Sequence, residues 1–306
     1  PDSISLLKMP QLKSKTVYLC SACGNDHPKW HGQCPSCNEW GTLGEYKVSK
    51  NRNKDMSSIV RDSHKLTDIL QGEDLNRIPT GIAEMDRVLG GGLLPGSLIL
   101  LGGNPGIGKS TLALQILPAF SKPVLYVSAE ESEEQIGLRA RRLNVSSDTL
   151  HLSSENRLEG ILDQVSLVLP ELLVIDSIQT VFSDALDSLP GSVSQIRECG
   201  QQLLQLAKQR NIAVIIIGHV TKEGVIAGPK MLEHMVDIVL YIEGDDRHDH
   251  RILRSSKNRF GTSNEVGIFQ MESNGLIEVK NPSELFLAER RDDISGSTIF
   301  PSLEGS

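Results

Sequence analysis

The sequence is short of aromatic residues, which make up 4 % of its 306 positions, and it lacks any uninterrupted apolar run near the roughly 18 residues that span a bilayer. That argues against a helical integral membrane protein, and no membrane partner is expected. The opening residues, PDSISLLKMP, have neither a basic segment followed by an apolar one nor an Arg-rich amphipathic pattern. No secretory signal is expected, and a cytoplasmic location follows, with an organelle as the alternative. Because the chain starts at Pro1 rather than Met, it is read as trimmed or processed. Cysteine is scarce: of five, four fall in residues 20–37 and Cys199 stands alone in a helical pattern. A disulfide framework spread over the chain is thereby excluded. Positive charge is also in deficit, with 31 Lys and Arg against 39 Asp and Glu, for a net charge of −8. The deficit is uneven. Residues 1–65 hold ten basic and six acidic side chains, whereas the remainder holds 21 and 33. An acidic average does not exclude DNA, because a local cationic groove suffices.

What the chain does contain suggests two domains, at about 150 residues each. Its 39 % hydrophobic residues suffice for a packed core rather than a disordered chain. Cys20-Ser-Ala-Cys23 and Cys34-Pro-Ser-Cys37 form a C-x2-C…C-x2-C array with ten residues between the pairs. Two such turns complete a tetrahedral thiolate shell suited to Zn²⁺ with no open position, so the metal is structural. So short a knuckle takes its folding free energy from the metal. A redox dithiol pair is the alternative. His27 and His31 are read as surface polar groups or outer donors to the thiolates. Trp30 and Trp40 are expected to cover the metal site, with base stacking as the other use. Residues 47–65, KVSKNRNKDMSSIVRDSHK, lack apolar periodicity and read as an exposed basic linker or a polyanion contact.

The second region reads as an α/β fold with a mostly parallel central sheet. Ser97–Gly102 is an apolar run that predicts a buried strand. It leads directly into Gly103, Asn104, Pro105, Gly106, Ile107, Gly108, Lys109, Ser110 and Thr111, a G-x4-G-K-[ST] loop followed by the helical LALQIL. Backbone N–H groups and the helix N-terminus of such a loop cradle phosphates. Lys109 is expected on the β- and γ-phosphates of ATP and Ser110 on Mg²⁺. Further strands are predicted at Pro123–Ser128, Leu172–Ser177, Ile212–Gly218, Asp237–Glu243 and Arg251–Ser256. Ser132 and Gln135 predict a capping box opening a helix, and Val193–Gln209 a long helix. Asp176, ending an apolar strand, is the candidate acid for water-mediated Mg²⁺ binding. Glu130, at the end of the strand after the phosphate loop, is the candidate catalytic base, with Glu131 as substitute. The competing reading of Glu130 is an acid favoured by a helix N-terminus. Asp245–His250 reads as a solvated hairpin tip rather than a metal cluster.

These residues together resemble the bacterial RadA (Sms) family. The resemblance is carried by the four-cysteine knuckle, Thr80–Gly92, Gly103–Thr111, Glu130-Glu131-Ser132, Gly218–Lys222 and Lys257-Asn-Arg-Phe-Gly261, a KNRFG motif. It covers the chain from about Tyr18 onward. The resemblance implies a RecA-like P-loop ATPase core over 66–285, after an N-terminal segment, 1–46, carrying the zinc finger. Residues 286–306 would then begin a C-terminal domain similar to Lon protease, the rest of which is missing. It implies a hexameric ring resembling DnaB-type helicases, working with RecA on single-stranded and branched DNA to drive branch migration in recombination and repair. By position, Lys109, Ser110 and Asp176 become the nucleotide and Mg²⁺ residues and Glu130 the catalytic acid–base group. His219 is implied to sense the γ-phosphate, a hydrogen-bonded core histidine being the plainer alternative. Lys257 and Arg259 are implied to act on a neighbour's nucleotide; residues alone give them as surface charges in a turn. Two segments, Ser183–Ser194 and Lys222–Lys230, correspond to DNA-facing loops, with Lys222 and Lys230 as contacts, or else are plain surface loops. Two other classes compete. One is a KaiC-like regulatory ATPase acting on protein partners, in which neither the knuckle nor KNRFG is expected. The other is a zinc-dependent adaptor that uses ATP only to assemble.

Overall fold

In the computed structural model the described residues are 15–22, 25–48, 76–219, 227–244, 249–263 and 265–279. The chain divides into two compact units, Pro1–Glu73 and Asp74–Ser306. Most of the expected linker, the C-terminal segment 286–306, Cys23, Lys222 and the tip residues 245–248 lie outside the described residues.

The first unit is a small antiparallel sheet of β1 (Lys15–Cys20), β2 (Asp26–His27) and β3 (Leu43–Val48), in the order β2-β1-β3. Among its described residues the buried apolar side chains are few: Val17, Leu19 and Leu43, with Cys20 and Cys34 fully enclosed. So little apolar surface cannot offset the ordering entropy of the strands, which is the setting in which a metal completes a fold. Lys47 and Val48, read above as linker, finish β3 and pair with Thr16 and Lys15.

The second unit is built on a nine-stranded sheet, order β12-β11-β10-β9-β4-β8-β7-β5-β6. Six strands run parallel: β4 (Leu98–Gly103), β5 (Val124–Ser128), β6 (Leu150–Ser153), β7 (Leu172–Asp176), β8 (Ala213–His219) and β9 (Ile238–Gly244). β10 (His250–Asn258), β11 (Val266–Glu272) and β12 (Gly275–Glu278) extend it antiparallel. β4, β5 and β7 are buried at every residue because helices cover both faces, which is why they read as continuous apolar runs. On one face α1 (Ala83–Leu89), α2 (Lys109–Gln115) and α3 (Glu133–Arg142) enclose a core with Met85, Leu112, Tyr126 and Ile136. On the other, α4 (Leu158–Val168), α5 (Val193–Arg210) and α6 (Ala227–Met235) pack Ile161, Cys199, Leu203 and Leu232 against the sheet.

The capping box opening α3 is present: the Ser132 hydroxyl accepts from the Gln135 N–H, and the Gln135 side chain accepts from the Ser132 N–H. Two loop expectations change. Ser194 belongs to α5, and the end of the Lys222–Lys230 segment is helical, since α6 begins at Ala227. Pro229 concealed this start. In the first turn of a helix its missing N–H would have had no intrahelical partner anyway.

Candidate functional site

The parallel strands deliver their chemistry to one end of the sheet. β4 runs straight into the phosphate loop, Gly103 pairs with His219 at the end of β8, and Ser128 pairs with Asp176 at the ends of β5 and β7. This is the crevice at the carboxyl ends of parallel strands where open α/β folds bind ligands. Gly103 and Gly108 hold φ of +148° and +116°. A side chain is strained there, and a Cβ on Gly103 would stand 2.6 Å from the Ile242 carbonyl oxygen. A Cβ on Gly106 would meet nothing within 4 Å, in a loop whose Pro105 and Gly106 are exposed. Asn104, Ile107, Ser110 and Thr111 complete the loop and the first turn of α2.

Lys109 is buried, and its ammonium donates to the carbonyls of Gly103 at 2.9 Å and Asn104 at 2.8 Å. Burial pulls its pKa from 10.5 down to about 8, opposed by the negative charges of Asp176 and Glu130. Asp176 is almost fully buried and accepts from the Tyr126 hydroxyl at 2.6 Å on Oδ2. Its Oδ1 accepts nothing among the described residues. Ser110 and Asp176 thus offer a hydroxyl and a carboxylate, the hard oxygen donors that suit Mg²⁺. Glu130 follows β5, and its Oε1 accepts from the buried Ser177 hydroxyl at 2.5 Å. His219 Nε2 lies 3.5 Å from the same oxygen, while its Nδ1 is buried with no hydrogen-bond partner among the described residues. Glu131 instead pairs with Arg139 of α3.

Lys257 and Arg259 lie elsewhere. Lys257 stands level with Leu100, and Asn258 with Ile99, through their shared pairing with β9. Leu100 and Ile99 lie three and four residues before Gly103, about 10–13 Å back along β4 toward its N-terminal end. Lys257 Nζ donates to the carbonyls of Glu233 at 2.6 Å, His234 at 3.3 Å and Val236 at 2.8 Å, closing the C-terminal end of α6. Asn258 Nδ2 donates to the Leu89 carbonyl, and Arg77 donates to the carbonyls of Leu89, Gly92 and Phe260. Arg259 is 55 % exposed and touches Asp237 Oδ1 at 3.5 Å. Asp237 itself is buried on Lys208 at 2.7 Å and the Leu98 N–H at 3.1 Å. Lys230 falls in α6.

In the first unit the sulfurs of Cys20, Cys34 and Cys37 lie within 4.8 Å of one another, the only cluster of three or more Cys, His, Asp or Glu among the described residues placed to share a metal ion. Three converging thiols fit Zn²⁺, and Cys23 is the fourth member that the spacing supplies. His27 Nε2 stands 3.4 Å from the Cys34 sulfur, in reach of an outer hydrogen bond. Trp30 and Trp40 do not cover the site: they are 61 % and 73 % exposed and flank Gly32. Among the described residues of this unit the buried apolar side chains are Val17, Leu19 and Leu43, and neither indole joins them.

Sequence reasoning missed Tyr126, Ser177, Arg77 and the Asp237–Lys208 pair. Ser177 follows the metal-type acid directly and was open to suspicion. Tyr126 needed the strand order, which no local pattern carries.

Residues 61–225 match the AAA domain family, and residues 18–45 match the rubredoxin metal binding domain. Among curated proteins, the DNA repair protein RadA of Listeria monocytogenes is 50 % identical over 303 residues, covering 97 % of this chain and 66 % of the relative. RadA of Bacillus subtilis is 49 % identical over 302 residues, covering 96 % and 66 %. The chain thus spans 66 % of the length of these relatives. Among solved structures, the RadB recombinase superposes with a TM-score of 0.52 at 24 % identity, over 66 % of this chain and 100 % of that one. A KaiC-like protein of Pyrococcus horikoshii gives 0.56 at 21 % over 67 % and 100 %. These likenesses establish a RecA-like fold.

Proposed function

The chain belongs to the AAA domain family and, within it, to the bacterial RadA DNA repair proteins, and on that premise we propose that it is a DNA-dependent ATPase of recombination and repair. The observation that carries the reading is the convergence of Lys109, Asp176, Glu130 and His219 at the carboxyl ends of adjacent parallel strands. Lys109 leaves the loop carbonyls to hold the β- and γ-phosphates, beside the backbone N–H groups of Gly103–Thr111. Ser110 and Asp176 would hold Mg²⁺, which when bound neutralises charge building on the phosphate oxygens. Glu130 orients the attacking water and accepts its proton. Ser177 fixes one of its oxygens and leaves the other to do so. His219 carries the state of the γ-phosphate into the segment that follows β8.

Arg259 and Lys257 lie too far from their own phosphate loop, and in this reading they serve the nucleotide of the next chain in a homo-oligomeric ring, for which a hexamer is the expected size. Single-stranded DNA would pass along Lys222 and Lys230, and the work done is branch migration in company with RecA. The four-cysteine unit holds Zn²⁺ as a structural element. Steady-state ATP hydrolysis with and without single-stranded DNA tests the reading, with Lys109→Ala as control. Stimulation that vanishes in the variant is expected. Turnover indifferent to DNA would transfer the chain to the KaiC-like regulatory class.

A further inference from the structure

Tyr126 is a polar side chain in the middle of a strand where an apolar one would pack equally well. It is fully buried in β5, whose neighbouring residues Leu125 and Val127 are apolar. β5 and β7 pair so that Tyr126 faces Val174 and Ser128 faces Asp176. Side chains alternate along a strand, so Val174 and Asp176 share the face of β7 that Tyr126 shares on β5, against the P-loop helix α2. Asp176 is therefore the diagonal neighbour of Tyr126, about 8 Å away by ordinary strand spacing and rise. A phenol reaches across that gap and a phenyl ring stops short. Oη donates to Asp176 Oδ2 at 2.6 Å, and Asp176 receives no other hydrogen bond among the described residues.

We propose that Tyr126 is the positioning residue for the Mg²⁺ acid, its hydroxyl holding Oδ2 of Asp176 so that Oδ1 is presented to a water of the metal. The inference rests on Asp176 acting as that acid. A buried carboxylate needs a partner. The other charge that acts on Asp176 from within the site is the Lys109 ammonium. Without the hydroxyl, acid and lysine draw together, and each is withheld from its ligand. Burial and the adjacent carboxylate push the Tyr126 pKa well above 10, so the hydroxyl stays protonated and remains a donor throughout the working range.

The test uses the 306-residue chain and a fluorescent N-methylanthraniloyl ADP as probe, titrated with MgCl₂. Tyr126→Phe keeps the ring and removes the donor. The half-saturating Mg²⁺ concentration should rise by about tenfold or more, the loss expected for one hydrogen bond to a charged group. Affinity for the probe in EDTA should stay unchanged, which also reports that the variant is folded. In an Asp176→Asn background, adding Tyr126→Phe should change the Mg²⁺ requirement no further. An unshifted Mg²⁺ titration in Tyr126→Phe, beside a shifted one in Asp176→Asn, overturns the proposal alone. An unshifted titration in Asp176→Asn overturns the reading of Asp176 as the metal acid and the proposal with it.

Discussion

Replacing Arg259 by alanine separates a catalytic role from a structural one. Its single ion-pair contact among the described residues, with Asp237, is 3.5 Å long, and the side chain is 55 % exposed. Such a contact is worth at most about 1 kcal/mol. Asp237 would keep Lys208 at 2.7 Å and the Leu98 N–H at 3.1 Å, so no buried charge is stranded. For a domain of this size the melting temperature should fall by no more than about 2–4 °C. Nucleotide affinity should be unchanged, because the residue lies at the far end of β4 from its own phosphate loop. Turnover should fall by about 10³–10⁵-fold, the range for loss of an arginine supplied in trans. Mixing supplies the sharper assay. Arg259→Ala and Lys109→Ala chains are each inactive alone, yet an interface with the loop of the first and the arginine of the second is intact. Random assembly of an equal mixture makes about a quarter of interfaces of that kind, and activity should return in that proportion. Undiminished hydrolysis by Arg259→Ala, or a mixture as dead as its components, would refute the reasoning.

Three further outcomes follow from the geometry. Lys109 has a pKa of about 8 in the free protein, so at pH 8.5 it is mostly neutral and must gain a proton when it meets phosphate. Nucleotide binding should therefore take up protons at pH 8.5, weaken as pH rises further, and lose this linkage in Lys109→Ala; calorimetry in buffers of different ionisation enthalpy reads it, and uptake identical in the variant would contradict it. Cys34→Ser should abolish stoichiometric zinc, read by a chromogenic chelator after thiol modification, and should unfold the β1–β3 sheet; full zinc retention would remove Cys34 from the ligand set. Ser132→Ala deletes the acceptor of the α3 capping box and should cost about 1 kcal/mol in denaturant melts, with kcat nearly unaffected. A loss below a few tenths would show that the cap is idle.

Strand composition and loop chemistry made much of this legible in advance. Leu98–Gly103, Leu172–Asp176 and Ala213–His219 announced themselves as buried strands because both faces are covered, and the glycine spacing of 103–108 marked the loop. β6 escaped because it is an edge strand of only four residues, too short for its apolar–polar alternation to stand out. α6 was obscured by Gly228 and Pro229, which lower helix propensity everywhere except in a first turn. Cys20, Cys34 and Cys37 meet as their spacing required, whereas the exposure of Trp30 and Trp40 depended on how little core the knuckle has to offer. Lys257 read as a surface charge because its three carbonyl partners, at the end of α6 and just beyond it, lie more than twenty residues earlier. Pairings of that kind are set by topology and leave no local trace.

The sheet's two ends also settle an arithmetic of assembly. Phosphate-binding groups emerge where the parallel strands finish, and the Lys257–Arg259 pair stands back toward their N-terminal ends. Under the trans reading each chain carries two unlike halves of a catalytic centre and no whole one. A solitary chain then has nothing complete. An open stack of n chains completes n − 1 centres and wastes a half at each tip, while a closed circle completes all n. Specific activity per chain should consequently climb with assembly size and level off only at closure, so the dependence of turnover on protein concentration becomes a gauge of whether the ends have met.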